Sequence, residues 1–176
     1  VKQNKAGDFF AKMHRNVAGT DQYVHTWDGE LYLEYHRGTY TTQGYNKFMN
    51  RYLENRMTQA EWLSSAAYVQ GGDYAEKDLK DAWEAILLHQ FHDIIPGSSI
   101  GEVYADSRKN YAAALEKIVR AESVAVATLV QAAENVFTVY SANSFAGEEL
   151  VKIPVAQAGT FVDAQGKTLC AQRCED

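Results

Sequence analysis

Cysteine is scarce in this chain of 176 residues: only Cys170 and Cys174 occur. Two thiols cannot build a disulfide framework, so a reducing, cytoplasmic compartment is the expectation. Their C-x-x-x-C spacing reads as two plain free thiols. No run approaches the ~18 apolar residues of a membrane span, and no signal-peptide pattern opens the chain. Positive charge is in deficit. Seventeen Lys and Arg against 23 Asp and Glu leave a formal charge of −6, which argues against nucleic acid or an anionic membrane as partner. A neutral ligand such as a sugar suits that balance. The motifs H-E-x-x-H and H-x-D are absent, as are internal repeats and low-complexity tracts. The chain starts at Val1 without an initiator Met, which suggests a piece of a longer protein.

What is present is an ordinary globular balance, 46% hydrophobic and 23% charged, enough to bury a core without staples. The chain reads as three zones: 1–43, 44–135 and 136–176. In the first, "KAGDFFAKMHRN" predicts a short amphipathic helix stopped near Gly19. "ELYLEYHRG" then alternates, with Leu31, Leu33 and Tyr35 on one face, which predicts a strand ended by Gly38. Thr41 or Thr42 is the expected N-cap of the next helix.

The second zone is helical by pattern. Met49, Leu53, Ala60, Leu63 and Ala67 mark one face of a first helix, interrupted by Arg56 and ended at "QGGD", 70–73. Asp73 is the expected cap of a second helix. Its apolar face would be Leu79, Ala82, Trp83, Ile86, Leu87 and Phe91, and it would end near Pro96-Gly97. Ser99 and Glu102 fit the capping box of a third, running to about Ala133. Three helices on short connections predict an antiparallel three-helix bundle, hence a mainly α fold with short flanking α/β and β segments. In the third zone "VFTVYS" and "EELVKIPV" read as strands, and "GTFVDAQGKTL" as a hairpin with Gly166 in its turn.

The chemistry-bearing stretch is "LLHQFHDIIPGSS", 87–99. One reading is a plain helix end, because Pro, Gly and a histidine are all favoured there. The other is a metal and sugar site. His92 and Asp93 offer an imidazole and a carboxylate together, the ligands zinc takes outside thiolate sites. His89, one turn earlier, could pair with His92 as a metal clip. A catalytic zinc needs at least three protein ligands, so the chain would carry only part of such a site. His14, His25 and His36 read as surface or partly packed side chains. Arg37 and Tyr40 sit at a junction that could line a cleft, but an ion pair with a neighbour explains Arg37 as well.

Two segments, "GELYLEYHRGTYTTQGYNKFMNRYLE" and "LLHQFHDIIPGSSIGEVY", resemble the class II α-mannosidases of glycoside hydrolase family 38, their bacterial-type members especially. The resemblance covers nearly the whole chain. It implies that 1–43 is the end of a catalytic α/β domain, 44–135 a middle three-helix domain and 136–176 the start of a C-terminal β domain. It implies a retaining, zinc-dependent exo-mannosidase acting on mannose-containing oligosaccharides, with His92 as one zinc ligand and Asp93 on the sugar hydroxyls. The nucleophile, the general acid and the other ligands would lie in remaining domains of the same polypeptide, so this piece would be inactive alone. Phe91 stands where typical animal members carry a first histidine of a His-His-Asp turn. The alternative from another class is a stand-alone helical interaction module, in which the His-Asp turn is only a helix stop.

Overall fold

The computed structural model describes residues 3–21, 23, 25–32, 34–131, 133–155 and 159–174. It is mainly helical. Helix α1 spans Ala6–Val17, a 3-10 helix spans Arg37–Tyr40, and three longer helices come after it: α2 (Gly44–Val69), α3 (Glu76–His89) and α4 (Gly101–Leu129). No helix among the described residues is long and apolar enough to cross a membrane.

The three long helices pack against one another along stripes that repeat every three and four residues. On α2 the buried positions are Asn46, Asn50, Leu53, Met57, Ala60, Ser64 and Ala67. On α4 they are Tyr104, Ser107, Tyr111, Ala114, Ile118, Ala121 and Ala125, and on α3 Leu79, Ala82, Ile86 and His89. Such a 3.5-residue spacing is the seam of coiled-coil packing, with alanines letting the backbones approach. Cross-helix contacts give the directions. Glu61 and Asn50 of α2 meet Trp83 of α3 and Gln90 at its C-cap, so these two helices run antiparallel. Asp78 and Asp81 of α3 meet Arg120 and Lys117 of α4, again antiparallel. Asn46 and Arg56 of α2 meet Ser107 and Glu122 of α4, which makes α2 and α4 parallel. This is an up-down-up bundle.

The break after α2 is a Schellman cap. Gly71 takes φ +88, its amide donates to Tyr68 O at 3.0 Å, and Gly72 N donates to Ala67 O at 2.9 Å. The N-caps fall elsewhere than the pattern suggests, and none of the three makes a side-chain cap hydrogen bond. The N-cap of α2 is Gln43, in left-handed geometry, rather than Thr41 or Thr42, and that of α3 is Ala75 rather than Asp73. Helix α4 starts one residue later than expected, with Ile100 at its N-cap. The Ser99 hydroxyl is instead spent on the carbonyl of Asp93, so the capping box does not form.

Among the described residues the strand expected at 30–38 does not form. Residues 32 and 34–36 make turns and lead into the 3-10 helix; Leu33 lies outside the described residues. Alternation stabilises a strand only when a partner strand takes its hydrogen bonds and covers one face. Leu31 and Tyr35 remain exposed, and no pairing with this segment occurs among the described residues.

The chain divides into two compact units, Val1–Val139 and Tyr140–Asp176. Within the second, the expected hairpin is present. Val162 and Thr168 form an antiparallel bridge, Leu169 N donates to Phe161 O at 2.9 Å, and Gly166 turns at φ +81. "VFTVYS" and "EELVKIPV" form no strand among the described residues.

Candidate functional site

Helix α3 ends at His89, short of the predicted stop at Pro96-Gly97. Its last amides tighten, Gln90 N donating to Leu87 O at 3.1 Å and Phe91 N to Leu88 O at 3.3 Å. The chain then makes one compact turn, with Ile94 N and Ile95 N both donating to Phe91 O. His92 and Asp93 lie at the outside of that turn, their side chains 80% and 59% exposed, with His92 Nε2 3.6 Å from Asp93 Oδ2. The His92 ring rests against Phe91, centroids 4.3 Å apart. Leu87 and Phe91, assigned by pattern to the buried face, are exposed.

The backbone of the turn is tied down by side chains from three places. Ser99 Oγ donates to Asp93 O, the Tyr104 hydroxyl of α4 to Ile94 O at 3.3 Å, and the Lys47 ammonium of α2 to Ile95 O at 2.9 Å. Tyr104 also accepts from Ser99 N at 3.0 Å, and Lys47 also donates to Thr42 O. Partial desolvation lowers the Lys47 pKa from its ordinary value. At Gly97, φ +97 and a close approach to Thr42 leave no room for a side chain. None of these roles is visible as periodicity. Tyr104 reads from sequence as an apolar helix position, and Lys47 as an ordinary surface charge.

His89 does not join His92. Its ring is buried in the bundle against Tyr111, centroids 4.7 Å apart, with both nitrogens shielded and unpartnered among the described residues. The His89/His92 clip is therefore excluded, because one imidazole faces the core and the other faces outward. His14, His25 and His36 are exposed, Arg37 pairs with Glu34 at 3.2 Å, and Tyr40 is exposed.

Among the described residues no group of three or more His, Cys, Asp or Glu side chains could hold a metal ion. The donor set of the turn still fits a share in one. His92 and Asp93 are both open to the outside, and nitrogen with carboxylate oxygen is a set zinc accepts.

A helical bundle carrying an exposed imidazole and carboxylate on one clamped inter-helix turn is thus the class of protein defined by the fold. The alpha mannosidase middle domain family matches residues 34–129, and the chain belongs to it. It is 45% identical over 82 residues to an alpha-mannosidase of Saccharomyces cerevisiae, covering 45% of this chain and 8% of that protein. Alpha-mannosidase G of Dictyostelium discoideum is 42% identical over 86 residues, 49% of this chain and 8% of the relative. Alpha-mannosidase 2C1 of Mus musculus is 36% identical over 113 residues, 63% of this chain and 10% of the relative. The chain therefore spans a tenth or less of these relatives' length.

Proposed function

We propose that this chain is the part of a retaining, zinc-dependent exo-α-mannosidase that supplies one metal ligand, His92, and one sugar contact, Asp93. The active site would be completed by other domains of the same polypeptide, with 1–43 closing the catalytic domain and 136–176 opening a β domain. The observation that carries this reading is the turn itself, with an imidazole and a carboxylate exposed side by side within the family match.

A zinc ion, when bound, would orient vicinal sugar hydroxyls and stabilise developing negative charge on oxygen. His92 offers it a neutral nitrogen. Asp93, ionised, accepts hydrogen bonds from hydroxyls of a terminal mannosyl residue, each charge-assisted bond being worth ~1.5–3 kcal/mol. The turn contributes position rather than proton transfer. The two carboxyl groups a glycosidase sets across the scissile bond belong to the rest of the polypeptide, so this chain alone is inactive. A reducing, cytoplasmic setting accords with a chain that has only two cysteines, Cys170 and Cys174.

The test is made on the full-length polypeptide. His92→Ala should lower bound zinc and abolish hydrolysis of an α-mannoside. Asp93→Asn should keep the zinc and raise KM on the order of 10-fold or more, the loss of one charged hydrogen bond. Full zinc content and activity in His92→Ala would refute the assignment.

A further inference from the structure

The peptides after His92 are held in an unusual way. Three consecutive carbonyls, those of Asp93, Ile94 and Ile95, each accept a side-chain hydrogen bond, and each donor comes from a different part of the fold. Ser99 reaches back along the turn, Tyr104 reaches from the first turn of α4, and Lys47 reaches from the first turn of α2. A plain helix stop needs none of this, since the last carbonyls of an exposed helix end can turn to water.

The exposed side chains give the reason. His92 and Asp93 have little packing to orient them: Phe91 touches one face of the imidazole, and the carboxylate lies 3.6 Å away. Where side-chain packing is absent, the position of a side chain is set by its backbone. That backbone is gripped from both helices that flank the turn in space. Tyr104 is 5% exposed, so its hydroxyl is held in place by the bundle. Lys47 bonds two carbonyls with a full positive charge, and charge-assisted bonds are about twice as strong as neutral ones.

We infer that Lys47 and Tyr104 are positioning residues for His92 and Asp93, fixing the turn so that imidazole and carboxylate meet metal and sugar together. The inference rests on the reading of His92 as a ligand. It assigns the two residues no contact with substrate.

The experiment uses the full-length polypeptide with Tyr104→Phe, Lys47→Met, Lys47→Arg and, as a reference, His92→Ala. Zinc affinity is measured on each metal-free protein by competition with a chelator, and the thermal midpoint of the same metal-free samples monitors the fold. Tyr104→Phe and Lys47→Met should each weaken zinc binding by about 10-fold, the usual range for outer partners of a ligand. Their midpoints should stay near the parent's. Lys47→Arg, which keeps charge and donors, should recover most of the affinity. In turnover, kcat should fall more than KM rises. Parental zinc affinity in both Tyr104→Phe and Lys47→Met, alongside loss of zinc in His92→Ala, would overturn the inference while leaving the ligand assignment standing. Retained zinc in His92→Ala would overturn both. Should Lys47→Met not fold, Tyr104→Phe decides alone, because it removes a single oxygen from the structure.

Discussion

At the scale of single residues, His89 and Gly97 mark the two sides of the turn. His89 is 3% exposed and both ring nitrogens lack partners among the described residues. Burial lowers its pKa below 6.5, so the folded chain holds it neutral. As pH falls, the unfolded chain takes up the proton first. Stability contributed at this position is therefore unchanged above about 6.5 and is lost as pH drops from there through the depressed folded value. Urea unfolding at about pH 7.5 and about pH 5 should show this loss in the parent and a smaller one in His89→Leu. At the higher pH the leucine should stabilise by ~1 kcal/mol, because a buried unsatisfied polar group is removed. Equal pH dependence in the two proteins would exclude His89 as its source. Gly97 is constrained by geometry. A Cβ there would lie 2.7 Å from Thr42 Cγ2 and 3.0 Å from Thr42 O, at φ +97. Gly97→Ala should cost about 1–3 kcal/mol, measured by denaturant unfolding, from strain and overpacking together.

At the scale of elements, the bundle was legible where its seam is apolar and hidden where it is polar. The existence of α1 to α4 and the break at 70–73 can be read from periodicity and glycine. The register could not, because Asn46, Asn50, Ser64, His89 and Ser107 sit on the buried stripes and look like surface residues in the sequence. Three of them are accommodated by bonds made only after folding: Asn50 Nδ2 donates to Ile86 O at 3.2 Å, and Ser107 Oγ donates to Asn46 Oδ1 at 3.0 Å. The same blindness applies to the site. His92-Asp93 could be named from the chain, whereas the donors gripping its carbonyls lie 48 residues before Ile95 and ten residues after Ile94. Arg56, which interrupts the apolar stripe of α2, has a role of this kind. Its guanidinium bonds Glu122 of α4, with only 27% and 18% of the two side chains exposed, and that hydrogen bond raises the arginine pKa. Arg56→Met and Glu122→Gln should each destabilise by ~1–3 kcal/mol, since each leaves a half-buried charge unpaired. The pair Arg56→Met/Glu122→Gln should cost less than the sum, in a double-mutant cycle by urea unfolding. Lys80→Ala, removing an exposed pair at 3.9 Å, should change stability by less than about 0.5 kcal/mol. An additive cycle would show that the Arg56–Glu122 bond carries no coupling.

At the scale of the molecule, the core is concentrated in one part of the chain. Every buried residue among those described lies between Asn46 and Ala125. Helix α1 buries nothing, although Phe9, Phe10 and Met13 are apolar, and the segment that reads as a strand leaves Leu31 and Tyr35 in solvent. Beyond α4 the described residues are exposed or half-buried, and their one bridge closes a hairpin within the second unit. Hydrophobic burial is the main favourable term in folding. The stability of the chain should therefore reside in α2, α3, α4 and the turns joining them, with Thr42 included because it packs on Gly97 and accepts from Lys47. A truncation to residues 42–131 should remain helical and melt cooperatively. Its midpoint, monitored by circular dichroism, should lie within about 5 °C of the parent chain, a difference on the order of 1 kcal/mol for a domain of this size. A broad, non-cooperative melt of the truncated chain would mean that residues outside the bundle contribute stability that their exposure does not reveal.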